Sequence, residues 1–322
     1  MTVFSKILGN ERAKSQCAKD IFDGTPAHAY LFLGQKGTGK YTMAMEMAKG
    51  LIEGLEKLEN PLNHPDLTVI QGEDPTIKKK EIVELIEEAQ KTAFQEERKV
   101  FIIRDFEKVA REGQNALLKT LEEPKDGVFL LLTSSMPDLV LPTILSRCRK
   151  ITLYPLPEGD VVKFLRDKYK TLSAEEALLY GRIADGNLQD AISLAGNPDL
   201  FLLRREALEE FVKLIAPGGN PFEIYKFFEK HKDDLSFISK QWKLLFLDFM
   251  NEPIGGNVVH RDFFEKHLMI PKLGRDSYYH MWELVDRMEQ YLKYNGNFQL
   301  QVENMLLLIQ GEYHDRGSGS TI

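Results

Sequence analysis

Two cysteines, Cys17 and Cys148, are all that 322 residues contain. A disulfide framework and a four-cysteine zinc site are therefore excluded. No run comes near the roughly 18 consecutive apolar residues that a bilayer-spanning helix needs, so no contact with a membrane is expected. Residues 1–10 lack a basic segment followed by an apolar run, so no secretion signal is expected and the chain reads as cytoplasmic. Positive charge is not in excess: 42 Lys and Arg face 49 Asp and Glu, a formal net charge of −7. That argues against a chain coated in positive charge along nucleic acid, but leaves room for a local basic face. Tryptophan is scarce too. Trp242 and Trp282 lie among Phe-rich helical patterns and read as core. No aromatic residues interleave with basic ones as in single-strand binders. There is no internal repeat and no low-complexity block.

The remaining composition is that of a globular chain, 43% hydrophobic and 28% charged. At about 150 residues per domain, two or three domains are expected. In the first half, short apolar runs at 29–33, 67–70, 100–103, 128–133 and 151–154 alternate with helical patterns at 42–58, 79–92, 113–121 and 141–146. Near-continuous apolar runs suit strands buried on both faces of a parallel sheet. Their alternation with helices predicts an α/β fold over residues 1–155. After Pro155 and Pro157 the strand pattern stops. A small helical domain is expected over 156–205, with Ser173 and Glu176 spaced as a capping box. An all-α domain follows over 206–313, with its best amphipathic run at 279–294, and 314–322 reads as a flexible tail.

The strongest motif is Gly34-Gln35-Lys36-Gly37-Thr38-Gly39-Lys40, set between a predicted strand and a predicted helix. Such glycines let backbone N–H groups curl around phosphate oxygens, and Lys40 adds a charge for the β- and γ-phosphates. The motif then departs from its pattern. A Ser or Thr should follow the lysine to hold Mg²⁺. Tyr41 stands there, with Thr42 next. Phosphate binding, by ATP or ADP, can survive this change; magnesium binding is expected to be weak or absent. A second departure follows at the acidic strand, 99–106. P-loop ATPases place a metal-supporting Asp at such a strand end, and Asp105 fits. The water-activating Glu that often follows is replaced by Phe106. Glu107, one residue on, would face away if the chain stayed extended.

Two further stretches are Asn115-Ala116-Leu117-Leu118-Lys119-Thr120-Leu121-Glu122-Glu123-Pro124 and Leu141-Pro142-Thr143-Ile144-Leu145-Ser146-Arg147-Cys148. Both resemble signature stretches of the bacterial clamp-loader AAA+ family. The resemblance implies an AAA+ P-loop domain, a helical lid and a helical oligomerisation collar. It also implies work beside gamma/tau motor subunits and a delta subunit, which together load a sliding clamp onto primed DNA with ATP. In that family the Ser-Arg-Cys arginine reaches into a neighbour's ATP site; Arg147 matches it, and Cys148 is a small buried neighbour. The polar end of the preceding strand, Ser134 or Ser135, matches the position that senses the γ-phosphate. Gln189, within Gly186-Asn187-Leu188-Gln189-Asp190-Ala191, stands where a second sensor arginine is usual.

The departures at Tyr41, Phe106 and Gln189 favour a member that hydrolyses ATP weakly or not at all. An active gamma/tau-like ATPase is the alternative. Members of the family often carry four zinc-binding cysteines before the acidic strand; here only His64 is available, so no zinc is expected. Lys78-Lys79-Lys80 reads as a solvated helix start. Arg98, Lys99, Arg104, Lys108 and Arg111 form a second basic group that duplex phosphates in an assembly could meet.

Overall fold

The computed structural model describes residue 4 and residues 7–52, 54–71, 76–91, 93, 97–256, 258–264, 273–294 and 296–317. Residues 318–322 of the expected tail lie outside these. The chain forms two compact units, 1–163 with 185–190, and 164–184 with 191–322.

The first unit is a five-stranded parallel sheet. In chain order it contains α1 (Glu11–Phe22), β1 (Ala29–Leu33), α2 (Lys40–Leu51), β2 (Leu67–Ile70), α3 (Lys79–Ala89), β3 (Lys99–Ile103), α4 (Arg111–Glu122), β4 (Val128–Ser134), α5 (Pro142–Leu145) and β5 (Arg149–Thr152). The strand order is β2-β3-β4-β1-β5. Every residue of β3 and β4 is buried, as expected when helices cover both faces. Alternation along each strand sends side chains to opposite cores. Tyr30, Phe32, Val100, Ile102 and Leu131 meet Met43 and Met47 of α2. Leu31, Phe101, Ile103, Leu130 and Leu132 meet Ile82 and Leu85 of α3 and Leu117 of α4.

Several boundaries shift from the sequence reading, and two of the shifts have a plain physical reason. The last strand is Arg149–Thr152 rather than 151–154. It lies at the sheet edge, where only Ile151 is buried, so its polar start hid it. The expected helix 42–58 is α2 only as far as Leu51. Ile52 is extended, and Leu55, buried in the same core, belongs to a short 3-10 turn that mimics a helical repeat.

Beyond the sheet come α6 (Glu158–Lys168), α7 (Ala174–Ala184), α8 (Leu188–Gly196), α9 (Pro198–Ile215), α10 (Pro221–Lys230), α11 (Leu235–Asn251), α12 (Arg261–Phe264), α13 (Arg275–Lys293) and α14 (Phe298–Gly317). No strand occurs after β5 among the described residues. Because α14 continues through Gly317, residues 314–317 are helical and not tail. The core of this second unit gathers Phe211, Phe228, Trp242 and Phe246, all at most 1% exposed. Arg204, also 1% exposed, is neutralised there by two hydrogen bonds to Asp262, at 2.7 and 2.9 Å.

The capping box forms as expected. Glu176 N–H donates to Ser173 Oγ at 3.1 Å, and Ser173 N–H donates to the Glu176 carboxylate at 2.9 Å. These bonds from Ser173 hold the Glu176 carboxyl below its ordinary range. Ser173→Ala should destabilise this unit by about 1 kcal/mol, seen as a lower midpoint in urea unfolding. An unchanged midpoint would show that the cap is not used.

Candidate nucleotide site

β1 sits between β4 and β5, and the glycine loop leaves its C-terminal end, where open α/β sheets form their ligand crevice. Gly34 and Gly37 have φ of 150° and 82°. A Cβ on Gly34 would fall 2.4 Å from Leu153 O, and one on Gly37 1.9 Å from Asn187 Oδ1. Both positions therefore require glycine. Gly39 precedes Lys40, the first residue of α2. The loop is internally braced. Thr38 Oγ1 donates to Gln35 O, and Lys40 Nζ donates to Gly34 O and Gln35 O, each at 2.8 Å. Burial pushes the Lys40 ammonium below its ordinary value, against the Glu107 and Asp105 carboxylates, which raise it.

Tyr41 follows, half-buried against the α2 core, while Thr42 is exposed. The guanidinium of Arg104 lies 4.2 Å from the centre of the Tyr41 ring. This pairing was invisible in the sequence reading, which put Arg104 in a basic surface group. Strand alternation was the available signal. Ile102 faces the α2 core, and Arg104, two residues on, takes the same side.

Asp105 lies past the strand end in a left-handed conformation, φ 49° and ψ 54°. Its N–H donates to Thr133 Oγ1 at 3.1 Å, and its carboxylate is 3.4 Å from Lys108 Nζ. Phe106 is fully buried. The chain is therefore not extended here, which corrects the expectation that Glu107 faces away. A 3-10 turn over Phe106–Lys108 brings Glu107 Oε1 to accept from Ser135 N–H at 3.1 Å. Glu107 Oε2 is buried without a hydrogen-bond partner. Ser134 pairs in register with Leu33, level with the start of the loop, and its Oγ accepts from Met136 N–H.

Gln189 is exposed, and its backbone N–H caps onto Asn187 Oδ1 at 3.0 Å. Asn187 was overlooked as an individual residue. Its Oδ1 caps α8, and its Nδ2 donates to Lys36 O at 3.1 Å, so it lies against the glycine loop. An Asn directly before a helical run was the signal for the cap; nothing in sequence signalled the loop contact.

Arg147 sits just after α5, with its side chain 35% exposed. One guanidinium nitrogen donates to Thr143 O at 2.9 Å, and another lies 2.5 Å from Glu122 Oε1. Cys148 beside it is buried, and burial pushes its thiol up to about 12.

The other basic residues are mostly engaged. Lys99 is buried and 2.5 Å from Glu88, and Arg98 covers the Phe129 ring. Arg111 and Lys78-Lys79-Lys80 are exposed. His64 is buried and accepts from Asp66 N–H at 3.2 Å, a loop brace. Among the described residues no group of three or more His, Cys, Asp or Glu could hold a metal ion, and no helix is long and apolar enough to cross a membrane. At the phosphate loop itself, Tyr41 stands where the motif has a short metal-binding hydroxyl, and the Arg104 guanidinium lies on its ring.

Comparison with known proteins gives the same outline. The family described as DNA polymerase III, delta subunit, matches residues 9–157, which include the loop, the sheet and Arg147. Subunit delta' of DNA polymerase III from Bacillus subtilis is 28% identical over 304 residues, covering 88% of this chain and 91% of that protein. Subunit tau of DNA polymerase III from Escherichia coli is 31% identical over 212 residues, covering 59% of this chain but only 32% of tau. A DNA polymerase III, gamma subunit-related protein from Thermotoga maritima has the same fold, with a TM-score of 0.57 at 16% identity, covering 92% of this chain and 99% of that one.

Proposed function

We propose that this chain, which belongs to the clamp-loader subunits of DNA polymerase III, fills the delta' place in that assembly as a structural AAA+ subunit with little or no ATP hydrolysis of its own. Arg147 is its contribution to chemistry. The guanidinium enters the nucleotide site of an adjacent gamma/tau motor subunit and stabilises the charge that develops on the transferred phosphoryl group. A guanidinium suits this task because it is always charged and offers a planar fork of donors. The delta subunit, the sliding clamp and primed DNA are the other partners of the cytoplasmic assembly. Residues 156–205 act as a lid and residues 206–313 as a collar. Exposed Tyr291 on α13, Tyr294 just past its end, and Leu300 and Leu307 on α14 support the collar role, since such apolar side chains suit burial against other subunits.

The observation that carries this reading is a contrast between two arginines. Arg104 is committed to the chain's own damaged nucleotide site, stacked on Tyr41, whereas Arg147 stays accessible at the surface on one carboxylate. The sensor positions Ser134, Ser135 and Gln189 and the loop residues Gly34, Gly37, Thr38, Gly39 and Lys40 then serve ATP or ADP binding without turnover.

A second reading, an active gamma/tau-like ATPase, is favoured by Glu107, whose turned carboxylate keeps one oxygen unengaged. Phosphate release by the purified chain separates the two. The first reading expects no turnover above background and no change on Lys40→Ala. Steady turnover that Lys40→Ala abolishes would establish the second.

A further inference from the structure

Nucleotide sites of this loop type normally use a divalent cation to draw the β- and γ-phosphates together. Here the metal-binding hydroxyl is replaced, and a guanidinium lies on the side chain that replaces it. Tyr41 occupies the place of the metal-binding hydroxyl. Arg104 is the first residue beyond β3, and its N–H still donates to Ile70 O at 3.0 Å, so it prolongs the strand pairing. Its side chain falls on the α2 face, where the Tyr41 ring receives the guanidinium at 4.2 Å. Gln71 Oε1 accepts a hydrogen bond from the same guanidinium. Ring and amide together fix a cation beside the start of α2.

The carboxylates nearby do not offset this arrangement in favour of a metal. Asp105 faces Lys108, and Glu107 is held by Ser135 N–H. A divalent ion entering beside Tyr41 would meet a fixed positive charge where the motif has a short hydroxyl, and the unengaged Glu107 Oε2 is the oxygen it would have to use. A phosphate oxygen would meet a charge-assisted donor.

We propose that Arg104, held on Tyr41, takes the place of the divalent cation and makes the glycine loop a metal-independent site for the phosphates of a nucleoside di- or triphosphate. The proposal does not depend on Arg147 or on any partner subunit, and it stands or falls separately from the subunit assignment.

The test is calorimetric titration of the full chain with ADP, once in excess EDTA and once in Mg²⁺. The expected result is binding in EDTA with no gain from Mg²⁺. Arg104→Ala should weaken that binding about tenfold or more, because a charge-assisted bond is lost. Arg104→Gln keeps the side chain's length and serves the same purpose should circular dichroism show the alanine variant unfolded. The double variant Tyr41→Thr with Arg104→Asp, which restores oxygen donors, should bind ADP only with Mg²⁺. Wild-type binding that requires Mg²⁺, absence of ADP binding in both conditions, or full affinity in both Arg104 variants would each overturn the proposal.

Discussion

Replacing Arg147 with Ala should lower ATP turnover at the neighbouring motor site by about 10³ or more, the range found for trans arginines in other nucleotide hydrolases. The physical reason is that negative charge shifts toward the bridging and terminal oxygens during phosphoryl transfer, and a fixed guanidinium in a water-poor interface needs no reorganisation to meet it. Arg147→Lys should recover only part of the loss, because an ammonium keeps the charge but not the planar fork. The fold should be indifferent. Arg147 is 35% exposed and its Glu122 partner 50% exposed, and such surface pairs contribute about 0–1 kcal/mol. Turnover of the reconstituted assembly and the melting temperature of the variant chain are the two measurements. Unchanged turnover with an unchanged melting temperature would remove Arg147 from the mechanism.

The second large effect is on stability. Trp242 is fully buried, edge-on to Phe211 at 5.7 Å and to Phe228 at 5.2 Å, and its indole N–H donates to Ala207 O at 2.7 Å. Trp242→Ala removes a large apolar volume from a closed core and leaves a carbonyl without its donor. A cost of about 3–5 kcal/mol is expected, against a total stability of about 5–15 kcal/mol for a typical domain. Guanidinium unfolding followed by circular dichroism should show the helical unit melting far earlier than wild type. Trp242→Phe should recover part of the loss by filling volume without the hydrogen bond. A cost of under about 1 kcal/mol would mean that Trp242 is not a core residue, contrary to the packing.

Much of this was legible in the sequence because burial leaves a simple trace. Strands covered on both faces are continuous apolar runs, so β1 was placed to the residue and β4 to within one, while the edge strand β2 was placed to the residue because Leu67, Val69 and Ile70 are apolar. The edge strand β5 carries Arg149 and Lys150 and was read two residues late. The phosphate loop was legible because glycines and a lysine have few other reasons to occur at that spacing. The acidic segment misled for a local reason. An Asp near a strand end draws attention, but β3 ends at Ile103 and it is Arg104 that keeps the strand's alternation toward α2. Asp105 then turns left-handed, which no pattern of apolar residues records, and carries Glu107 toward Ser135. Contacts between residues distant in sequence, such as Arg147 with Glu122 and Asn187 with Lys36, have no sequence signal.

The Glu122 contact gives the central claim its most direct test. A map of the complete loader trapped with a non-hydrolysable ATP analogue would show the surroundings of Arg147. The account predicts that the guanidinium has left Glu122 and lies within hydrogen-bond distance of the γ-phosphate on the adjacent motor subunit. An Arg147 still paired with Glu122, with no neighbouring triphosphate in reach, would contradict it.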